Sequence, residues 1–427
     1  MSTAAEAAAK YPPGTPVTLR CERMLHGGVC AARHPDLGIV LVEHAIPGEL
    51  VEAQLRFRAK RTWFATVQRV LQPSPDRVEV PCKYVPECGG CQLQHVAYER
   101  QLELKREVLL EALRHDHVET VTTIGLHGVE DPWRYRIRGE FHVVRGGDDG
   151  GEVGLGFNRS RSWRPIAVDD CLIHDRRITE ALPQLRALVQ HAGTPELRTV
   201  HVTAGDDDDL LVRGMPRSAL DAAALPGEGR RLSTEWTTLR WRDLLFRARS
   251  DTFIQVNWAQ MDVLYARVLA ALGSYTGLRV VDAYAGIGVL ACALAEHAAE
   301  VVCIESNRAT ARAGVLNARV NEVEDRIRYV AARVEDALPE VAARGRVDAL
   351  IVDPPRAGCD RRVTAWLALA GPPRVVYVSC DPATLARDLR VLVASGPYTI
   401  DAMDIVDMFP QTYHVETVVA LGRADQT

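Results

Sequence analysis

Cys380 follows an apolar stretch, Arg374–Ser379, and stands directly before Asp381-Pro382. An apolar run that stops at Asp-Pro reads as a strand, and its carboxyl end is where doubly wound sheets carry their chemistry. Burial as a small apolar residue is the ordinary fate of a cysteine in such a place. The alternative is nucleophilic work, because a thiolate adds readily to an electron-poor carbon and leaves again. Glu416, in His414-Val415-Glu416 at the start of the last apolar run, is the acid best placed to act as a base; Asp381, Asp388 and Asp407 are its rivals. Alkylation of a uracil at carbon 5 needs both groups. The thiolate adds to carbon 6, the enolate attacks the alkyl donor, and a base removes the carbon-5 proton so that elimination frees the enzyme.

A donor site is written further upstream. Val281-Asp282-Ala283-Tyr284-Ala285-Gly286-Ile287-Gly288 closes a predicted strand and opens a predicted helix over 289–297. The glycines let the backbone approach a ligand, yet no G-x-G-x-x-G is present, which argues against a nicotinamide dinucleotide. Glu305 ends the next strand, the position at which an acid takes a cofactor's ribose hydroxyls. Asp353, in Asp353-Pro354-Pro355-Arg356, closes a third strand on the same rim. Two acids and a glycine loop suit the cationic sulfonium of S-adenosylmethionine.

A second cluster has a different chemistry. Cys82, Cys88, Cys91 and the distant Cys171 supply four thiolates, enough for a [4Fe-4S] cluster or a zinc ion. Spacing alone leaves both open. Methyl transfer needs no electron, so the expected role is structural.

The elements that must position these groups follow from the rest of the chain. Its 427 residues call for two or three domains. Hydrophobic residues at 47% and charged ones at 25% are ordinary globular values, and no apolar run reaches the roughly eighteen residues of a membrane span. Ten cysteines without an extracellular disulfide pattern suit a reducing, cytoplasmic setting, and the alanine-rich residues 1–10 read as a frayed leader without a signal peptide's basic start. A net charge of −5 excludes non-specific coating of nucleic acid, so any such contact must be local.

Residues 17–70 alternate in short stretches between Gly and Pro turns and predict a β-barrel of about five strands. Arg56, Arg58, Lys60 and Arg61 cluster there beside Trp63 and Phe64, a composition that suits an oligonucleotide surface. Residues 98–115 predict an amphipathic helix that could pack on the catalytic domain. A β-rich α+β region spans about 133–249, with a helix over 176–191 and four acids, Asp206 to Asp209, as an exposed turn. From Asp251 onward helices alternate with apolar strands, beginning with a helix near 258–272, and this grammar means a doubly wound, Rossmann-like sheet. The expected fold is therefore α/β: a barrel over 11–72, a central α+β domain over 73–249 and a catalytic sheet over 250–427.

Residues 378–388, Asp407-Met408-Phe409-Pro410, Thr412, His414 and Glu416 together resemble the RNA uracil-5-methyltransferases, and the resemblance runs from about Val17 to Leu421. It implies that Cys380 is the nucleophile and Glu416 the base. It places cofactor contacts on Gln255, Tyr284, Gly286, Glu305 and Asp353. It identifies the barrel with the RNA-binding TRAM domain. Cys-Gly-Gly-Cys at 88–91 is similar to the family's iron–sulfur segment and favours the cluster over zinc. Arg134, Arg136, Arg138, Arg159, Arg161 and Arg164 become further RNA-contact candidates. Two departures stand out: Val289 where relatives often carry Asn, and Arg333 where an Asn or Asp often meets the adenine.

The resemblance further implies a monomer that makes 5-methyluridine in 23S ribosomal RNA, with the T-loop uridine of tRNA as the alternative target. An amino-group methyltransferase would want an aromatic residue after Asp-Pro-Pro, and an RNA cytosine-5 methyltransferase a second cysteine there; Arg356 fits neither. A non-catalytic RNA-binding module is the remaining rival, and the pairing of Cys380 with Glu416 speaks against it.

Overall fold

The computed structural model describes residues 11–119, 123–146, 153–206, 208–216, 231–233, 235–394 and 396–424. The leader over 1–10 lies outside them. The chain forms two compact units: Met1–Glu111 with Arg159–Ser162 and Phe409–His414, and Ala112–Asn158 with Trp163–Met408 and Val415–Thr427.

In the first unit β1 (Pro16–Leu25), β2 (Val29–His34), β3 (Gly38–Glu43), β4 (Leu50–Ala59) and β5 (Thr62–Gln72) close a barrel in the order β1-β2-β3-β5-β4. Alternation explains the strands: Val17, Leu19 and Cys21 point inward from β1, and Val51, Ala53 and Leu55 from β4. Trp63 also points inward and is buried, so it is not part of a surface aromatic patch. The aromatics on the outside are Phe57, 39% exposed, and Phe64, stacked 4.8 Å apart.

The segment after the barrel is tied back by Glu49, whose carboxylate is fully buried. It accepts two hydrogen bonds from Arg77, at 2.6 and 2.7 Å, and further ones from the N–H groups of Ile46 and Ser74. Those four donors offset the cost of removing a carboxylate from water. The predicted helix appears as α1 (Tyr98–His115). Leu104 and Val108 join the barrel core, while the Gln101 amide bonds the backbone and side chain of Gln411, both at 3.0 Å, and holds the 409–414 segment.

In the second unit β6 (Gly125–His127) precedes a six-stranded sheet built from β7 (Arg138–Arg145), β8 (Val153–Asn158), β9 (Pro165–Ala167), β10 (Thr199–Ala204), β11 (Leu210–Met215) and β12 (Leu232–Ser233). The helix expected over 176–191 is two helices, α2 (Arg176–Glu180) and α3 (Leu182–Ala192). Pro183 lies in the first turn of α3, where its missing N–H and fixed φ start a helix more readily than they continue one. The acidic run is not wholly exposed: Asp206 and Asp208 are, but Asp209 is buried and accepts from the Thr237 hydroxyl at 3.0 Å.

A hairpin, β13 (Trp236–Trp241) and β14 (Leu244–Arg249), leads to α4 (Trp258–Leu272). Beyond it lie β15 (Arg279–Ala283), α5 (Val289–Leu294), β16 (Glu300–Ile304), α6 (Arg308–Val320), β17 (Ile327–Val330), α7 (Val334–Ala343), β18 (Ala349–Val352), α8 (Arg361–Ala370), β19 (Arg374–Ser379), α9 (Pro382–Leu389), β20 (Tyr398–Val406) and β21 (Glu416–Arg423). The main sheet has eight strands in the order β17-β16-β15-β18-β19-β21-β20-β6. The first five are parallel, and β21 runs antiparallel to both of its neighbours. β15, β16 and β18 are almost wholly buried, as parallel strands covered on both faces are. Among the described residues no helix is long and apolar enough to cross a membrane.

Candidate active site

The reversal of strand direction at β19/β21 decides where the chemistry falls. Ser379 pairs with Thr417 at the end of that ladder. Cys380 directly follows Ser379 and Glu416 directly precedes Thr417, so the two residues flank the last pair of the ladder. The Glu416 charge acts on the Cys380 thiol, which puts the two groups in one site. Cys380 is partly exposed and Glu416 is buried.

Burial and charge set their acidities. Burial, then the negative charges of Glu416 and Asp353, push the Cys380 thiol up to about 12, against an opposing pull from Arg356. Burial and Asp353 hold the Glu416 carboxyl well above the usual range, with Arg356 again opposing. Asp353 is raised to about 6 by burial, and Asp282 to about 8 by burial together with Asp353 and Glu305. The Tyr265 phenol on α4 is raised by burial and by Asp353, Asp282 and Glu416. Acids that raise one another's pKa values in this way form a pocket that a cation would stabilise.

The rival bases have other work. Asp381 caps α9, accepting from the N–H groups of Ala383 and Thr384 at 3.0 Å each. Asp388 accepts from the Tyr377 hydroxyl at 2.6 Å, the Cys359 N–H at 2.8 Å and Arg387 Nε at 2.8 Å. Asp407 follows β20 and is buried, its backbone N–H tied to the His127 carbonyl at 2.9 Å.

Beside this pair runs the glycine loop. Tyr284, Gly286 and Gly288 all have positive φ, at 68°, 56° and 83°. A Cβ on Gly288 would lie 2.3 Å from the Tyr329 hydroxyl, so only glycine fits there. Glu305 accepts from Gly286 N at 3.2 Å and Asn307 N at 2.6 Å, which fixes its carboxylate at the mouth of the loop. A cavity of about 500 Å³ opens here, lined by Tyr284, Ser306, Arg333, Glu335 and Cys359 among others. Its size suits a nucleoside-sized ligand. Of the five residues expected to meet the cofactor, Tyr284 alone lines this cavity. Glu305 and Asp353 stand at the ends of the strands on either side of β15, and Gln255 is buried just before α4. Arg333, one of the two departures, lines the cavity and is ion-paired to Glu335; Val289, the other, is the first residue of α5 and is buried.

The four cysteines of the second cluster divide between the units: Cys82, Cys88 and Cys91 in the first, Cys171 in the second. All are free thiols. Burial raises the Cys88 thiol, the Gly90 N–H bonded to its sulfur lowers it, and neighbouring Cys82 raises it. His174 Nδ1 lies 3.1 Å from the Cys171 sulfur. Among the described residues no group of three or more His, Cys, Asp or Glu side chains is gathered to hold a metal ion. Four soft thiolate donors are nevertheless the chemistry of an iron–sulfur or zinc site.

The basic candidates separate by environment. Arg56, Arg58, Lys60 and Arg61 are exposed at the β4–β5 turn. Arg161 lies over the Phe64 ring at 4.4 Å and is paired with Glu43 at 2.5 Å; Arg159 is paired with Glu87. Arg134 is held by both Asp170 oxygens at 2.7 Å, and Arg138 braces the carbonyls of Thr252 and Arg249. Arg136 keeps a buried Nε without a hydrogen-bond partner.

The family model described as tRNA (Uracil-5-)-methyltransferase matches residues 232–424, the span that contains the glycine loop, Cys380 and Glu416. An uncharacterized RNA methyltransferase of Gloeobacter violaceus is 34% identical over 457 residues, covering 96% of this chain and 97% of that protein. Another, of Halalkalibacterium halodurans, is 32% identical over 447 residues, covering 95% and 96%. The chain belongs to the RNA uracil-5-methyltransferase family. As a member it is an S-adenosylmethionine-dependent RNA methyltransferase. Its fold is also that of the Pyrococcus abyssi tRNA (uracil-54, C5)-methyltransferase, crystallised with S-adenosyl-L-homocysteine: TM-score 0.71 and 24% identity, over 94% of this chain and 100% of that one.

Three residues of this methyltransferase's site escape a reading of the sequence. Tyr265 sits in a helix whose buried Met261, Leu264 and Val268 read simply as core. Tyr329, beneath Gly288, lies on a strand, and Asn317 on a helix face of small residues. Each matters through a partner distant in sequence, which no local pattern encodes.

Proposed function

We propose that this methyltransferase forms 5-methyluridine in RNA by covalent catalysis, with Cys380 as nucleophile and Glu416 as base. The observation that supports the reading is that Cys380 and a buried Glu416 flank the Ser379–Thr417 pair, with Asp353 acting on both. S-adenosylmethionine supplies the methyl group. Its positive charge, received near Asp353, would draw the pKa values of Cys380 and Glu416 down toward neutrality, because each is raised partly by uncompensated negative charge. The Cys380 thiolate adds to carbon 6 of the uracil, and the electron pair released onto carbon 5 and oxygen 4 takes up the methyl group. Glu416 then accepts the carbon-5 proton, the carbon–sulfur bond breaks, and the thiolate is regenerated. Tyr284, Gly286, Glu305, Asp353 and Gln255 form the donor site, Glu305 keeping lone pairs for ribose hydroxyls. Incubation with 5-fluorouridine-containing RNA and S-adenosylmethionine tests this: a denaturation-resistant complex is expected, and its formation by Cys380→Ala would refute the assignment.

A TRAM-type barrel over 11–72 binds RNA in this reading, followed by a central domain over 73–249 and the catalytic domain over 250–427. Support comes from exposed Phe57, stacked on half-buried Phe64, among Arg56, Arg58, Lys60 and Arg61; aromatic faces beside cations hold unpaired bases. Cys82, Cys88, Cys91 and Cys171 are assigned to a structural [4Fe-4S] cluster in preference to zinc. The Cys-Gly-Gly-Cys segment at 88–91, similar to the family's iron–sulfur segment, supports this. A cytoplasmic monomer acting on ribosomal RNA completes the reading. The T-loop uridine of tRNA is the second target, favoured by the description of the matching family. Mapping 5-methyluridine in both RNA pools from cells lacking the gene decides between them.

A further inference from the structure

Asn317 is fully buried on α6 and makes hydrogen bonds in two directions. Toward the β13–β14 hairpin, its Oδ1 accepts from Arg247 N at 2.9 Å and its Nδ2 donates to Arg247 O at 3.4 Å. Toward the glycine loop, the same Nδ2 donates to Ile287 O at 3.1 Å. Four residues on, Asn321 repeats the hairpin half: it accepts from Leu245 N at 2.8 Å and donates to Leu245 O at 2.9 Å, and its Nδ2 also donates to Asn317 O at 2.8 Å.

The spacing explains the pattern. Four helical residues advance about 6 Å, and two strand residues about 6.8 Å. Amides at positions 317 and 321 therefore meet alternate residues, 247 and 245, along the outer edge of β14. A two-stranded sheet leaves such an edge unpaired, and here side-chain amides act as the missing strand.

Only Asn317 carries this contact into the loop, at the carbonyl between Gly286 and Gly288, both at positive φ. The hairpin in turn continues through a turn in which the Thr252 hydroxyl donates to Arg249 O at 2.9 Å and accepts from Arg249 N at 3.1 Å. That turn delivers Gln255. We infer that Asn317 is a positioning residue that couples the β13–β14 hairpin to the glycine loop, so that donor affinity depends on the hairpin's being docked. The inference rests on the donor reading of that loop.

S-adenosylhomocysteine binding by calorimetry, with thermal melting alongside, separates this role from a structural one. Asn317→Asp keeps an acceptor for Arg247 N but sets an oxygen against the Ile287 carbonyl. It is expected to weaken S-adenosylhomocysteine about tenfold, the scale of one lost buried bond. Asn321→Ala removes the second pair of hairpin bonds, together with its bonds to the Asn317 carbonyl and Cys292, while leaving the bond from the Asn317 side chain to Ile287 in place. It is expected to lower the melting temperature while affinity stays within about twofold. Should Asn317→Asp not fold, Asn317→Ser, which also cannot span both partners, takes its place in the comparison. Unchanged affinity in the Asn317 variant, or equal losses in the Asn317 and Asn321 variants, would overturn the coupling. A wild-type protein that does not bind S-adenosylhomocysteine at all would instead sink the donor reading.

Discussion

Cys380 and Glu416 flank the Ser379–Thr417 pair, the last of the ladder where antiparallel β21 joins the five parallel strands. A parallel neighbour would have presented another strand's carboxyl end. The antiparallel one presents an amino-terminal residue, so a nucleophile after the carboxyl end of β19 shares this edge with an acid at the amino end of β21.

Glu416→Gln keeps the shape of the side chain and removes the base. With uridine RNA and S-adenosylmethionine, methyl transfer should proceed once and elimination should stall. Turnover is expected to fall about 10²- to 10⁴-fold, with a methylated covalent adduct on denaturing gels. Full turnover by this variant would pass the proton to another group.

Asp282 and Asp353, raised to about 8 and about 6, give the protein a pH dependence of definite sign. Both acids ionise near 4 when unfolded. The native state therefore holds more protons than the unfolded one from about pH 4 up to about 8, and stability falls as pH rises through that window. Melting curves of the ligand-free protein should shift downward from pH 5 to pH 8.5, and Asp282→Asn should flatten the slope. Cationic S-adenosylmethionine should stabilise more than neutral S-adenosylhomocysteine at the upper end.

The β4–β5 turn should report charge and stacking separately. Replacing Arg56 and Lys60 together by Ala should reduce the slope of log affinity against log salt by about 1.4, two contacts at ~0.7 each for single-stranded RNA. Phe57→Ala should weaken binding by about 1–3 kcal/mol with the slope unchanged. Equal effects on slope from both variants would leave the aromatic stack without a role.

The cysteine set should make the aerobically sensitive, brown protein of a [4Fe-4S] site when purified without oxygen. Cys88→Ala is expected to lose the colour and melt at lower temperature. A colourless, folded wild type containing zinc would reverse the assignment.

The catalytic sheet was the most readable part of the chain. β19 and α4 are where their apolar patterns and Asp-Pro or Gly boundaries put them, because buried parallel strands are uninterrupted apolar runs. β20 was not readable, since Asp401 and Asp404 break its pattern, and β6 is only three residues long. β2 buries four residues in succession and so shows no alternation. In the barrel, a register shift between Leu55 and Phe57 decides that Phe57 faces solvent while Trp63 fills the core. The nucleophile and its partner were legible as residue types in strand-end motifs; Asn317 and Tyr265 act through contacts made only on folding.

The most direct measurement is 5-methyluridine formation by Cys380→Ser, a substitution that keeps size and hydrogen bonding but removes the thiolate. Mass spectrometry of digested RNA should find product lowered by about 10³-fold or more, on the scale seen when an enzyme loses its nucleophile. Product formation at the wild-type rate would contradict covalent addition through sulfur.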